Sequence, residues 1–163
     1  MSKKTSMSDK NTNTTSPKQG GARSASRLGA VQALYQMEMN DQAAAIVITE
    51  FVDHRLGEVI DEDHYAEADK AFFANIVTGV DDRAEEIDTH VAGALSENWT
   101  LDRIEPVARG ILRAGTFELI ARPDVPTSVV INEYVDVAKA FFDDSKPGFI
   151  NGVLDKLAKQ IRQ

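Results

Sequence analysis

Apolar side chains in this chain recur at intervals of three and four residues in seven successive runs, and no stretch between turn signals sustains apolar–polar alternation. That period is the one at which a helix lines up a single face, so the pattern leaves no place where a strand is required. Leu28, Val31, Leu34, Tyr35 and Met39 predict a first helix over about 24–39, and Asn40-Asp41 supplies its stop and a cap for the next. Ile46, Val47, Phe51 and Leu56 mark a second over about 42–57, and Tyr65, Phe72, Phe73, Ile76 and Val77 a third. Gly79 interrupts, Asp81-Asp82 restarts, and Ile87, Val91 and Leu95 stripe a fourth. A fifth runs from about Asp102 to Ala121, stopped by Pro123-Asp124-Val125-Pro126, because proline removes a donor and restricts the residue before it. Val130, Ile131, Val135, Val137, Ala138 and Phe141 mark a sixth, and Phe149, Ile150, Val153, Leu154, Leu157 and Ile161 a seventh. Trp99, at a connection, is expected to plug the end of the core. The expectation is an all-α fold: a single helical domain of about seven helices.

A chain of 163 residues is long enough for one such domain and short for two. Residues 1–22 nearly lack large apolar side chains, cannot offset their ordering entropy, and are expected to form a disordered basic arm preceding the domain at 23–163. No apolar run reaches the roughly 18 residues of a membrane span, and the polar N-terminus lacks a signal's apolar middle. With no cysteine in the chain, disulfides and thiolate chemistry are excluded, and the expected compartment is the cytoplasm.

The net charge of −8 speaks against nucleic acid only as an average. Residues 1–27 carry +5, residues 28–99 carry −13, and residues 100–163 balance. A basic arm joined to an acidic middle predicts two faces with different partners.

Catalytic chemistry finds few candidates. His54, His64 and His90 lack the paired spacing of a zinc site, and Gly20-Gly21 follows no strand that would make it a phosphate loop. The acidic cluster Asp61-Glu62-Asp63 suits a helix N-terminus better than a metal. No Ser–His–acid set stands out. The expectation is a non-enzyme needing neither metal nor cofactor.

Four segments, in order, carry a resemblance to a known family. The first helix reads Ala30-Val31-Gln32-Ala33-Leu34-Tyr35-Gln36 after Arg23 and Arg27. Gly79-Val80 and Glu86-Ile87-Asp88 follow, then Trp99. The fifth helix contains Ile111-Leu112-Arg113 and Phe117-Glu118-Leu119. After Asp124-Val125-Pro126 come Ile131-Asn132-Glu133, Ala138-Lys139 and the string Phe149 to Lys156. Over about 23–162 the chain resembles the NusB family. The resemblance implies an all-helical transcription antitermination factor that binds the single-stranded boxA element of ribosomal RNA operon leaders. It acts with NusE, a protein of the small ribosomal subunit, within an RNA polymerase antitermination complex. A related helical domain precedes the catalytic domain of some rRNA cytosine methyltransferases, for which this chain is expected to be too short.

The residues suit that role. Bases of single-stranded RNA stack on aromatic rings or arginine planes while cations hold phosphates. Arg23 and Arg27 stand one turn apart on one helix face, with Tyr35 two turns beyond; Arg109 and Arg113 repeat the spacing. Phe149 follows Pro147-Gly148 at a helix start, with Lys146 beside it. Tyr35 and Phe149 have core positions as their alternative, and Arg113 a structural ion pair. Relative to the family pattern, Ser24-Ala25-Ser26 dilutes the arginine run, Ala108 stands for Glu, and Gly148 for Lys. Modest RNA affinity without the partner is the consequence expected. The other reading is a protein–protein adaptor whose acidic middle docks a basic partner that makes most RNA contacts. An exposed apolar helix face would serve such a partner or a second copy of the chain as a homodimer.

Overall fold

The computed structural model describes residues 17–56 and 69–162, and every described regular element is helical. Helix α1 spans Pro17–Asn40, α2 Ala44–Glu50 continuing into a π-helical turn at Phe51–Arg55, α3 Lys70–Asp82 and α4 Ala84–Ala94. A 3-10 turn at Leu101–Arg103 precedes α5 at Pro106–Ala121, followed by α6 at Thr127–Phe141 and α7 at Lys146–Ile161. Seven α-helices among the described residues agree with the period of the apolar pattern.

Helix α5 is the axis of the fold and packs against α1, α3, α4, α6 and α7. Ten of its sixteen residues are buried, which a helix enclosed on all sides requires. Small residues let the neighbours approach: a Cβ on Gly115 would come within 2.8 Å of Leu154 and 3.5 Å of the Tyr134 ring. Gly79 acts similarly from the other side. It does not interrupt α3, which runs on to Asp82; its missing side chain makes room for the Phe117 ring of α5.

The ends follow local chemistry. Asp69 Oδ1 accepts from the Phe72 backbone N–H at 2.9 Å and so caps α3. Asp41, at φ 53, turns the chain out of α1 in the left-handed region, which Asp tolerates better than most residues. The next cap is not supplied by Asn40-Asp41: the residue before α2 is Ala43, without a side-chain bond. The fifth helix begins later than its apolar pattern suggests, because Pro106 occupies its first turn and holds Glu105 extended. Its other end is closed from afar by Arg162, whose guanidinium donates to the carbonyls of Glu118, Leu119, Arg122 and Val125 at 2.7–3.1 Å.

Several expectations need correction. Helix α1 starts at Pro17, inside the stretch assigned to the arm, and Asp69 N donates to Ala22 O where α3 meets it. Met39, Ile46 and Phe141, placed in apolar stripes, are exposed: Met39 and Ile46 fall on the side of their helices away from the buried residues, and Phe141 is the last residue of α6. Trp99 does not plug the core; it is 42% exposed, in the loop between α4 and α5. Tyr65, His64 and the Asp61–Asp63 cluster lie outside the described residues.

Candidate nucleic-acid interface

The arginine best placed by sequence to meet RNA is the one most deeply buried. The Arg27 side chain is 3% exposed. Its Nε and Nη2 donate to the two oxygens of Glu118 at 2.8 and 3.0 Å, and its Nη1 donates to Glu133 at 3.0 Å. Tyr134 donates to Glu118 at 2.5 Å, and Ser24 to Glu133 at 2.5 Å. Burial presses the guanidinium pKa down, but the Glu118 pairing outweighs it and the net shift is upward. Burial also drives the Tyr134 phenol well above its usual range, reinforced by the charge of Glu118. Arg27 therefore ties α1 to α5 and α6 and is no RNA contact, because its charge and hydrogen bonds are consumed within the core.

Arg23, one turn earlier, stays half-exposed. Its guanidinium lies 4.5 Å from the centroid of the buried Phe72 ring, which Arg27 and Arg122 also flank at 4.9 and 5.1 Å. Asp69 stands 3.9 Å away. Arg122 is held by Asp124 through two hydrogen bonds of 3.0 and 2.9 Å. Tyr35 is 41% exposed on α1 and is thus not a core residue.

Arg109 and Arg113 line a groove of about 600 Å³ between α1, α5 and the α3–α4 junction. Both reach Glu38, and Arg113 also makes two bonds of 2.8 and 3.1 Å to Asp88. Arg109 spends its Nη1 on the carbonyls of Leu101 and Ile104. Burial lowers the Arg113 pKa, and the Asp88 pairing reverses that shift. Arg113 is thus a structural ion-pair partner, as its alternative reading had it.

A second groove, of about 720 Å³, opens from Arg109 toward the start of α7 and is lined by Trp99, Arg103, Lys146 and Phe149. The half-buried Phe149 ring stands 5.5 Å from Trp99, the two planes tilted by 49°. Lys146 Nζ lies 3.2 Å from Asp144, 3.7 Å from Glu105 and 5.2 Å from the Phe142 ring centroid. Arg103 donates to Asn98 O at 2.6 Å and sits 5.7 Å from the Trp99 centroid. Of the seven candidates, this groove joins Arg109, Lys146 and Phe149; Arg23 and Tyr35 stand apart on α1. Trp99 and Arg103 are additions that sequence reasoning missed. The available signal was a tryptophan in a polar stretch, Asn98-Trp99-Thr100, with an arginine four residues on.

Among the described residues no group of three or more histidines and carboxylates could hold a metal, and no helix is long and apolar enough to cross a membrane.

Comparison with known proteins sets this geometry in a family. The transcription antitermination protein NusB of Sphingopyxis alaskensis is 52% identical over 146 residues, covering 90% of this chain and 98% of that protein. Its counterpart in Sinorhizobium fredii is 48% identical over 145 residues, covering 89% and 91%. The solved structure of T. maritima NusB superposes with a TM-score of 0.71 at 29% identity, over 86% of this chain and 93% of that one. A chain from the antitermination factors NusB and NusE in complex with dsRNA superposes at 0.68 with 25% identity, over 84% and 96%. The model of the NusB family matches residues 24–159. With the family model matched over residues 24–159 and relatives at about half identity across nearly their whole length, the chain belongs to the NusB family.

Proposed function

We propose that this chain is a transcription antitermination factor that binds single-stranded boxA-type RNA of ribosomal RNA operon leaders together with a NusE-like ribosomal protein. In this reading the pair joins an RNA polymerase antitermination complex in the cytoplasm. The observation that carries the RNA assignment is the groove where the Phe149 ring meets Lys146 and Arg109. Aromatic faces beside cations are what unstacked bases and their phosphates require. Arg23 and Tyr35 extend the contact surface along α1, and both are accessible. The relatives' names support the antitermination role, and the NusB–NusE complex with dsRNA supports the partnership.

An adaptor reading is favoured by one observation: the neighbouring groove is lined by Glu38, Asp41, Asp81, Asp88 and Asp102 against two arginines, an excess suited to a basic protein. Filter binding with a boxA-like RNA, with and without the NusE-like protein, separates the two. The RNA-binding reading expects retention by this chain alone, tightened by the partner. Retention only by the partner, unaffected by this chain, would sink it in favour of the adaptor.

A further inference from the structure

Trp99 is the chain's only tryptophan, and it leaves more than two fifths of its surface in water although Phe149 lies beside it. A large aromatic ring forfeits favourable burial when left exposed, and such rings gather where a partner covers them. The two rings are in tilted contact, 5.5 Å apart and at 49°, and both line the groove. Its volume of about 720 Å³ falls in the range of small-ligand sites. Arg103 is held beside the indole by its bond to Asn98 O and has no carboxylate partner among the described residues. It is an uncompensated cation next to an exposed ring.

We propose that Trp99, backed by Phe149, forms an open-sided slot in which one unstacked nucleobase of single-stranded RNA stacks on the indole, with Arg103 holding the adjoining phosphate. The proposal rests on the RNA-binding reading above and adds to it a residue pair, Trp99 and Arg103, and a one-base stoichiometry. An apolar protein side chain is the less suitable occupant. Of the cations in the groove's lining, Arg109 is paired with Glu38 and Lys146 with Asp144 and Glu105, which leaves Arg103 as the one suited to a single anionic group. A base supplies a flat π-face for the indole, and its phosphate supplies the charge for Arg103.

A lone tryptophan makes the slot directly observable. The full chain, at low ionic strength, is titrated with a single-stranded RNA of about 12 nucleotides, within the usual site sizes. The same strand in a duplex and the NusE-like protein are titrated separately, with labelled-RNA anisotropy in parallel. Single-stranded RNA is expected to quench the tryptophan emission at the concentrations where anisotropy rises, and the duplex to leave it unchanged. Trp99→Ala is expected to weaken binding roughly 5- to 150-fold, the range for one stacked base. Trp99→Phe, which keeps a ring, is expected to recover most of that loss, and a thermal melt of each variant guards against unfolding. Binding without quenching, or equal affinity in Trp99→Ala while Phe149→Ala binds weakly, overturns the slot and leaves the RNA-binding reading standing. Quenching by the protein partner and not by RNA also overturns the slot. An anisotropy that never rises removes both.

Discussion

Two grooves meet at Arg109, and they have opposite characters. On one side Arg109 and Arg113 face Glu38 and Asp88, within a lining that holds five carboxylates against two arginines. On the other, Trp99 and Phe149 stand open beside Arg103 and Lys146. Both grooves contain arginines at helical positions accessible from solvent, yet only one leaves a cation free. The lesson is that an arginine's availability for phosphate depends on the acids packed around it. Spacing along a helix brings two arginines to one face, but it says nothing of the carboxylates that another helix places opposite them. A phosphate in the first groove would meet more negative charge than positive.

The largest expected effect tests the extreme case of a neutralised arginine. Arg27→Ala leaves Glu118 buried without its ion pair, and loss of one partner of such a pair costs about 3–5 kcal/mol. Denaturant unfolding measures it; a loss under 1 kcal/mol would show that water reaches Glu118 and that the core network has been misread. RNA affinity per folded molecule should hardly change.

Phe149→Ala comes next. A stacked base contributes about 1–3 kcal/mol of affinity, whereas a fully buried phenylalanine contributes about 3–5 kcal/mol of stability. Since the Phe149 ring is half-buried, the larger effect should fall on RNA binding, with a smaller loss of stability. The reverse order, read from one titration beside one melt, would return Phe149 to the core.

A paired experiment sharpens the contrast between grooves. Arg103→Ala should flatten the salt dependence of RNA binding by roughly 0.7, the value of one lost single-strand phosphate contact, while Arg113→Ala should leave the slope alone. Conversely, Glu38→Gln releases part of the charge of Arg109 and Arg113 and should steepen the slope. Identical slopes for Arg103→Ala and Arg113→Ala would erase the distinction.

The smallest effect concerns an exposed pair at the far end of α5. Two hydrogen bonds from Arg122 hold the Asp124 carboxyl at about 2, below its usual 3.8. A depressed carboxyl stabilises the fold above its unfolded pKa, and that contribution is lost as pH falls from about 4 toward 2. Wild type and Asp124→Asn should therefore converge in melting temperature over that window. Because Asp124 is open to solvent, the gap above pH 4 should be small, and NMR titration of its carboxyl is the sharper measurement.

Helix number and order, the break after Ala121 and the identity of most core residues were determined by the sequence itself, because period and proline act locally. The string from Ala30 to Gln36 and the Phe149–Lys156 segment carried the family for a related reason: their residues sit contiguously in single helices. The site was legible only in part. That Lys146 and Phe149 stand at the start of α7 was readable, because a helix start is a local feature. Tertiary packing alone decided that Arg27 faces Glu118, 91 residues away, and that Arg113 faces Asp88, 25 away. It also decided that Gly79 admits Phe117 and that Trp99 is left exposed beside Phe149. Burial and charge compensation are sums over neighbours from several helices, and no stretch of one helix contains them.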